Sequence, residues 1–240
     1  MTIPTEPATI PEIATQLAAG RSILPMWDNE IGGHTFQLGT GPGREFVKVS
    51  APHPAIDLHV EAEKLTWAGR YTTVPAVLAV NTDGPLHWLH TAGIPGDSAV
   101  VPRWINDPEP AVRAIGSGLR ALHDLLPVGD CPYSWSVTDR IVRVANPDGL
   151  SEHPPIDHLV VCHGDACAPN TLLDDDGNWC GHVDFGELGV ADRWADLAVA
   201  SWSLEWNYGG NWDATFFEAY GVPEDPDRMA YYRRLWDSED

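Results

Sequence analysis

The first hundred residues alternate between short apolar runs and turn residues, a pattern typical of antiparallel strands. From Trp27 to Ser50 the runs are separated by Asn29–His34 and by Gly39–Gly43, and Glu45–Val49 is rich in β-branched residues. Two turn clusters between three apolar runs predict a meander.

A helix and two further strands are predicted next. Asp57 is a suitable N-cap, and apolar residues recur at near-helical spacing over residues 57–69. Val77–Val80 and Leu86–Leu89 then flank an Asp83-Gly84 turn, which predicts a hairpin.

The second part of the chain is dominated by helical periodicity. Asp107 can cap a helix over residues 108–126, whose apolar side chains fall on one face. Three more helices are predicted at residues 192–206, 213–220 and 226–236. A sheet-rich part followed by a helix-rich part indicates an α+β protein with two lobes, which we place at residues 1–92 and 93–240.

One stretch carries a pattern of polar residues with a chemical meaning. His163-Gly164-Asp165 is followed after four residues by Asn170, and Asp184-Phe185-Gly186 begins fourteen residues beyond Asn170. Phosphoryl-transfer enzymes of the kinase type use an Asp, an Asn at this spacing and a metal-binding Asp-Phe-Gly, although Gly164 replaces the arginine of the usual H-R-D. Asp165 is predicted to be the catalytic base, with Asn170 and Asp184 as oxygen ligands for Mg²⁺ and ATP as the phosphate donor.

A kinase also needs a cation on the nucleotide phosphates. Lys48 lies in the apolar run Phe46–Val49, where an unpaired ammonium group is costly to bury. The helix that follows offers Glu61 and Glu63 as partners for it, and the spacing does not choose between them.

The charge balance narrows the range of binding partners. The 240 residues contain 14 basic and 35 acidic side chains, which gives a net charge of −21. Such a surface repels nucleic acids and anionic membranes and attracts polycationic small molecules. The four cysteines form no CxxC pair, and the chain shows neither a secretory signal nor a membrane-length apolar run, so a cytoplasmic location is expected.

These features together resemble the aminoglycoside phosphotransferases, and most closely the aminoglycoside 3′-phosphotransferase branch. The resemblance extends over nearly the whole chain, including Phe46-Val47-Lys48, Ile94-Pro95-Gly96, Cys131-Pro132-Tyr133 and Gly189–Ala198. It implies a protein-kinase-like fold with a five-stranded antiparallel N-terminal lobe, a mainly helical C-terminal lobe, and ATP between the lobes. The implied reaction moves the γ-phosphoryl group to a hydroxyl of an aminoglycoside.

The resemblance also implies roles for individual residues. It favours Glu61 over Glu63 as the partner of Lys48, and it makes Asp196 a structural carboxylate that braces the catalytic loop. Adenine would stack on Phe46 and bind the backbone at Ala92 and Ile94.

The residues expected to bind the acceptor depart from the family pattern. Where relatives have an acidic pair, this chain has Trp206-Asn207 beside Glu205, and the position after Asp-Phe-Gly is Glu187. Near the C-terminus, Asp237, Glu239 and Asp240 still offer acidic groups. The acceptor-binding residues are therefore predicted to be Glu205, Asn207, Asp237 and Glu187.

Three alternatives remain open at the level of sequence. The enzyme can be a kinase of another hydroxylated metabolite, such as an amino alcohol or a sugar, or a nucleotide-binding protein without turnover. A zinc site is a third alternative, with its candidate ligands crowded into one segment: Cys162, His163, Cys167, Cys180 and His182. The sequence leaves the choice of ATP or GTP and of monomer or dimer undecided.

Overall fold

A computed structural model of the chain describes residues 9–29, 31–144, 147, 150 and 152–238. The chain divides into two compact units, residues 1–70 with 74–95 and residues 71–73 with 96–240. The boundary at Pro95 falls three residues beyond the predicted one.

The first unit is built on an antiparallel sheet of five strands in the order β1-β2-β3-β5-β4. These strands are Ile23–Asp28 (β1), Gly33–Leu38 (β2), Glu45–Ser50 (β3), Val77–Asp83 (β4) and Leu86–Ala92 (β5), and the helices are Glu12–Ala18 (α1) and Leu58–Ala68 (α2). One face of the sheet buries Phe36, Val47 and Trp88 against Ala14 and Ala18 of α1. The burial of this apolar surface stabilises the sheet that carries Lys48.

Of the two predicted helix caps, the one at Asp57 is confirmed and the one at Asp107 is wrong. The side chain of Asp57 accepts hydrogen bonds from the backbone N–H groups of His59 and Val60, both at 3.0 Å, so this cap is present. Asp107 occupies the N-cap position of its helix but accepts no capping hydrogen bond, so its predicted capping role is wrong. Pro108 at the first helical position has no N–H to satisfy and has a backbone angle that suits a helix start, so the helix begins without that cap.

The second unit combines helices with two small antiparallel sheets. Its helices are Pro102–Asn106 (α3), Pro108–Leu125 (α4), Val137–Ile141 (α5), Trp194–Tyr208 (α6), Asp213–Tyr220 (α7) and Pro226–Asp237 (α8). Its strands are Asp97–Ser98 (β6), Leu159–Cys162 (β7), Thr171–Leu173 (β8), Trp179–His182 (β9) and Gly189–Asp192 (β10). The sheets have the orders β10-β7 and β6-β8-β9.

The long helix α4 forms the centre of this unit. Its apolar face is fully buried at Val112, Ile115, Leu119 and Leu122, as the periodicity predicts. The helix packs against α7 and against β7, β8 and β9, so it supports the strands that flank the Asp165 loop. The α+β class with a five-stranded antiparallel sheet and a helical C-terminal part is thus confirmed. In the described part of the chain, no helix has the length and apolar character that a membrane span requires.

Candidate active site

Strand pairing in the second unit brings the three predicted polar residues to one end of two short sheets. Asp165 follows β7, Asn170 ends a short 3-10 turn before β8, and Asp184 follows β9. The N–H of Val183 donates to the carbonyl oxygen of Asn170 at 2.9 Å, which ties the Asp184 segment to the loop.

The carboxylate of Asp196 holds the beginning of this loop. It is fully buried at the start of α6 and accepts the backbone N–H groups of His163 at 2.6 Å and Gly164 at 2.9 Å. His123 donates through Nε2 to the same carboxylate at 2.9 Å, and its Nδ1 lies 2.8 Å from the hydroxyl of Tyr220. Because a buried carboxylate must have its lone pairs satisfied, this network links the loop to three helices, α6 through Asp196, α4 through His123 and α7 through Tyr220.

His163 joins the loop to the segment after β9. Its Nε2 lies 2.9 Å from the carbonyl oxygen of Val183, and its Nδ1 accepts the backbone N–H of Asp165 at 3.3 Å. These partners assign the proton to Nε2, because a carbonyl accepts only from an N–H. The side chain of His163 therefore holds the loop in place through these two hydrogen bonds.

The carboxyl group of Asp165 is held by its own loop. Its Oδ1 accepts from the Cys167 thiol at 3.0 Å and its Oδ2 accepts from Nδ2 of Asn170 at 3.1 Å. Burial raises the pKa of Asp165, and the nearby charge of Asp184 raises it further. Burial also raises the pKa of Cys167 well above its usual value, so Cys167 acts as a neutral thiol donor.

Two residues of the site have positive φ angles. Gly164 has φ of 85°, and a Cβ atom placed on it would lie 2.2 Å from the carbonyl oxygen of Glu187. This contact accounts for glycine at the position where the kinase pattern has arginine. Asp184 has φ of 68°, a conformation that costs a non-glycine residue about 1–3 kcal/mol and is concentrated at functional sites.

The oxygen atoms of the Asn170 and Asp184 side chains are suitable ligands for a hard divalent cation. Nδ2 of Asn170 donates to the backbone oxygen of Asp165 at 2.9 Å as well as to its side chain, which turns the amide nitrogen toward Asp165. The Oδ1 of Asn170 is therefore the atom that this side chain can offer as a ligand, and Asp184 contributes a carboxylate group. Oxygen ligands of this kind suit Mg²⁺.

Lys48 of the first unit is paired with a glutamate. Its Nζ lies 2.6 Å from Oε1 of Glu61, whose side chain is 6% exposed. Glu63, the other candidate, is exposed on α2. The short distance and the buried acceptor hold the lysine side chain in one orientation on β3.

The residues predicted to bind adenine lie at the end of β3 and β5. The ring of Phe46 packs against Gly93, where an added Cβ would lie 3.0 Å from Cε2 of the ring. The N–H of Ala92 donates to the carbonyl oxygen of Ala76 at 2.9 Å, and the carbonyl oxygen of Ile94 accepts from Nη2 of Arg44 at 2.9 Å. Adenine would therefore have to bind the other backbone group of each residue, which is the carbonyl oxygen of Ala92 and the N–H of Ile94.

The residues predicted to bind the acceptor are placed differently from one another. Glu205 on α6 and Asp237 on α8 are exposed. Asn207 directs its Nδ2 to the carbonyl oxygen of Ser203 at 2.7 Å and to its hydroxyl at 3.1 Å. Glu239 and Asp240 lie outside the described residues.

Two arginines hold the carboxylate of Glu187, and neither contact is predicted from the sequence. Its carboxylate pairs with Nη1 of Arg140 and lies 3.3 Å from Nη1 of Arg143. Arg140 is itself buried and stacks on Trp135, with Cζ 4.5 Å from the ring centre. Spacing along the chain gives no signal for these pairs, since more than forty residues separate the partners.

The residues proposed for zinc are used in other ways. The thiol of Cys162 donates to the carbonyl oxygen of Asp192 at 3.5 Å, and that of Cys167 to Asp165. Within the described residues, the one group with three potential ligand atoms close together is His123, Cys162 and Asp196, which differs from the predicted set. His123 and Asp196 use these atoms in the hydrogen bonds that brace the loop.

The fold and this site define a kinase-type phosphotransferase. Residues 139–232 match the sequence profile described as "Phosphotransferase enzyme family". The aminoglycoside 3′-phosphotransferase of Streptomyces fradiae is 32% identical over 249 residues, which cover 87% of this chain and 91% of the relative. The chain belongs to the aminoglycoside phosphotransferase family.

Solved structures of relatives agree with this assignment. The aminoglycoside-3′-phosphotransferase of type VIII superposes with a TM-score of 0.74 at 28% identity, over 92% of this chain and 94% of the other. The enzyme APH(3″)-Id from Streptomyces rimosus, in complex with ADP and streptomycin, gives a TM-score of 0.69 at 25% identity, over 93% and 96% of the two chains.

Proposed function

We propose that the protein transfers the γ-phosphoryl group of ATP to a hydroxyl group of an aminoglycoside, of the 3′-hydroxyl type. The observation that carries this proposal is the Asp165 carboxyl group, held by Cys167 and Asn170 in a loop that Asp196 braces. The similarity to the S. fradiae 3′-phosphotransferase supports the class of acceptor.

Asp165 is the proposed catalytic base. Its carboxylate accepts a hydrogen bond from the acceptor hydroxyl and takes the proton as the hydroxyl oxygen bonds to the γ-phosphorus and the bond from that phosphorus to the oxygen of the leaving ADP breaks. Asn170 and Asp184 would hold Mg²⁺, which when bound supplies positive charge to the phosphate oxygens. The same charge favours the ionised form of Asp165, because it offsets the effect of Asp184.

The first unit is the proposed nucleotide-binding lobe, and the second carries the catalytic loop and the acceptor site. Lys48, oriented by Glu61, contacts the nucleotide phosphates. Phe46 stacks on adenine, while the Ala92 carbonyl and the Ile94 N–H bind its edge.

The acceptor is proposed to be a cationic small molecule. The net charge of −21 attracts such compounds over long distances, and the exposed carboxylates of Glu205 and Asp237 are suited to contact amino groups. Glu187 is neutralised by Arg140 and Arg143, so its contribution is to position the loop around Gly164 more than to attract cations. The reaction is proposed to take place in the cytoplasm, where ATP is present.

An acceptor panel with γ-labelled ATP and Mg²⁺ tests this function. The panel contains kanamycin, a matched compound without the 3′-hydroxyl, streptomycin, choline, ethanolamine and neutral sugars. We expect labelled kanamycin and no label on the compound that lacks the 3′-hydroxyl. The Asp165→Ala variant should abolish transfer and retain nucleotide binding.

Other outcomes would identify a different function. Label on an amino alcohol or a sugar, with none on any aminoglycoside, would replace the proposal by a metabolite kinase. Nucleotide binding without transfer to any acceptor would indicate a binding protein that lacks turnover. Full transfer by Asp165→Ala would contradict the role of the base.

A further inference from the structure

One buried hydroxyl group connects helix α6 to the loop that carries Asp165. Ser203 is fully buried, and its Oγ accepts the backbone N–H of Ala168 at 2.8 Å. Ala168 lies three residues after Asp165 in the chain. Ser203 therefore holds the part of the loop that follows the proposed base, whereas Asp196 holds the part that precedes it.

Asn207 supplies a second hydrogen bond to the same hydroxyl group. Its Nδ2 lies 2.7 Å from the carbonyl oxygen of Ser203 and 3.1 Å from the Oγ of Ser203. A carbonyl oxygen only accepts, so this contact identifies the atom that faces Ser203 as the amide nitrogen, which is a donor. The two hydrogens of the NH₂ group serve these two oxygens, and Asn207 thus donates to the hydroxyl group.

The direction of the remaining hydrogen bond of Ser203 follows from the sites on a hydroxyl group. A hydroxyl oxygen has two lone pairs and one proton. The N–H groups of Ala168 and Asn207 occupy both lone pairs, so the proton is available for donation.

The partner of the Ser203 proton is the thiol of Cys167. Burial raises the pKa of this thiol, the charge of Asp165 and a hydrogen bond to it raise it further, and a hydrogen bond with Ser203 lowers it. A hydrogen bond that lowers the pKa of a thiol stabilises the thiolate, as a donor to the sulfur atom does. The direction of the effect on the pKa therefore agrees with the count of lone pairs.

The Cys167 thiol connects this hydroxyl group to the proposed base. Its Sγ donates to Oδ1 of Asp165 at 3.0 Å, and its backbone N–H donates to the carbonyl oxygen of Asp165 at 2.8 Å. A group that accepts a hydrogen bond donates a stronger one in turn. The side chains thus form one directed series of hydrogen bonds, which we call the hydrogen-bond chain: Asn207, Ser203, Cys167 and Asp165.

The hydrogen-bond chain fixes one side of the carboxyl group of the base. Oδ1 of Asp165 accepts from Cys167, and Oδ2 accepts from Asn170, so rotation of the carboxyl group would break both hydrogen bonds. A base that is held in position before the substrate binds avoids the entropic cost of being oriented during the reaction.

We propose that Ser203 and Asn207 are positioning residues of the phosphoryl transfer, which direct the Cys167 thiol at Oδ1 and so hold the base in place for the acceptor hydroxyl. This inference rests on the proposed function, because it takes Asp165 to be the base. It also gives Asn207 a role that differs from the acceptor binding predicted from the sequence.

Replacement of Asn207 by Asp keeps the shape of the side chain and replaces the donor by an acceptor. The proton of Ser203 would turn to the new carboxylate and away from Cys167, while the Oγ of Ser203 still accepts from Ala168. We expect kcat for kanamycin to fall about three- to tenfold, with the KM for ATP within about twofold of the wild type. An unchanged kcat with a lower KM for kanamycin would overturn the proposal and make Asn207 a ligand of the acceptor.

A double-mutant cycle separates the hydrogen-bond chain from simple support of the loop. Ser203→Ala should lower kcat about three- to tenfold in the wild-type background. In the Cys167→Ala background it should lower kcat by less than about twofold, because the chain is already interrupted there. Equal effects in the two backgrounds would mean that Ser203 only supports the backbone of Ala168, and they would overturn the proposal.

Ser201→Ala is the matched control for the loss of a buried hydroxyl group from α6. Ser201 is buried on the same helix, and its hydroxyl forms hydrogen bonds with Asp213 and Arg233. This variant should lower the melting temperature and keep the kcat of the wild type. A loss of kcat as large as that of Ser203→Ala would overturn the positioning role, because loosening of α6 would then explain both results.

The infrared S–H stretching band of Cys167 reports the hydrogen-bond chain without turnover. The band is isolated by subtracting the spectrum of the same protein with Cys167→Ala. It should move to higher frequency in Asn207→Asp and in Ser203→Ala, because a sulfur atom without a donor makes the thiol a weaker donor to Asp165. A band that stays in place would overturn the hydrogen-bond chain and leave the proposed function intact. Absence of transfer from the wild type to every acceptor would overturn the proposed function and, with it, the positioning role.

Discussion

Replacement of Asp196 by Asn preserves the shape of the side chain but removes one acceptor oxygen from a fully buried group. In the native structure both oxygens accept, one from the N–H of Gly164 and the other from the N–H of His163 and from His123. An asparagine offers one oxygen and one NH₂ group. In the more favourable of its two orientations, the asparagine directs its NH₂ group at the backbone N–H of Gly164, so two hydrogen-bond donors face each other.

The size of the effect follows from this geometry. A buried donor left without an acceptor costs about 1–3 kcal/mol of the free energy of unfolding. For a chain of this size, each kcal/mol lowers the melting temperature by about 2–4 °C. The displaced loop should also lower kcat/KM, since a shift of about 1 Å in a catalytic group can cost about 100-fold.

Thermal unfolding and steady-state kinetics of Asp196→Asn measure both effects. The control is Asp124→Asn, which makes the same chemical change on an exposed aspartate whose partner is Arg120 at 2.7 Å. Exposed ion pairs contribute little to stability, so the control should stay close to the wild type. If the two variants lose the same small amount of stability and activity, the proposed bracing role of Asp196 is wrong.

Three shorter predictions concern neighbouring groups. Gly164→Ala should lower kcat/KM at least about tenfold, because loop geometry is lost, and unchanged kinetics would contradict the steric argument. Cys167→Ala should reduce kcat severalfold by removing the donor to Asp165, while Cys167→Ser should restore much of it; equal rates for the two would exclude that hydrogen bond. Burial raises the pKa of Tyr220 above its ordinary value, so its contribution to stability is full below the unfolded pKa of about 10 and is lost as pH rises toward the folded value. The urea concentration at the midpoint of unfolding should therefore decline above about pH 10, and more steeply for the wild type than for Tyr220→Phe. Equal slopes for the two proteins would contradict the contribution of Tyr220.

The sheet and the long helices could be predicted because their signals are local. Periodic apolar residues set α4 close to its predicted bounds, and turn residues separate the strands. The predicted strands at residues 77–80 and 86–89 were too short, since β4 ends at Asp83 and β5 at Ala92. Backbone pairing extends these strands through polar residues such as Asn81 and Thr91.

The contacts that shape the candidate site are mostly distant in sequence. His123 and Asp196 are 73 residues apart, so the spacing along the chain gives no sign of the buried hydrogen bond between them. Strands β9 and β10 have no clear alternation, and β10 depends on its pairing with β7. Periodicity reports neighbours within a few residues and is insensitive to such contacts.

The residues predicted to bind the acceptor show more clearly that contacts between distant parts of the chain cannot be predicted from spacing. Glu187 was interpreted from the sequence as an acidic group for the substrate, yet two arginines neutralise it. The sequence likewise gives no sign that Trp236 lies beside Trp202 and Trp206, because only the packing of α6 against α8 brings these rings together.

The contact beneath Gly164 restricts how this loop can evolve. The obstacle to any larger residue is the carbonyl oxygen of Glu187, an atom that every amino acid carries. No single substitution at position 187 can therefore make room, and a second-site suppressor would have to move the backbone of the whole segment after Asp184. A transition from His-Gly-Asp to His-Arg-Asp thus requires a further change that moves this backbone, which separates the two loop types by more than one mutational step.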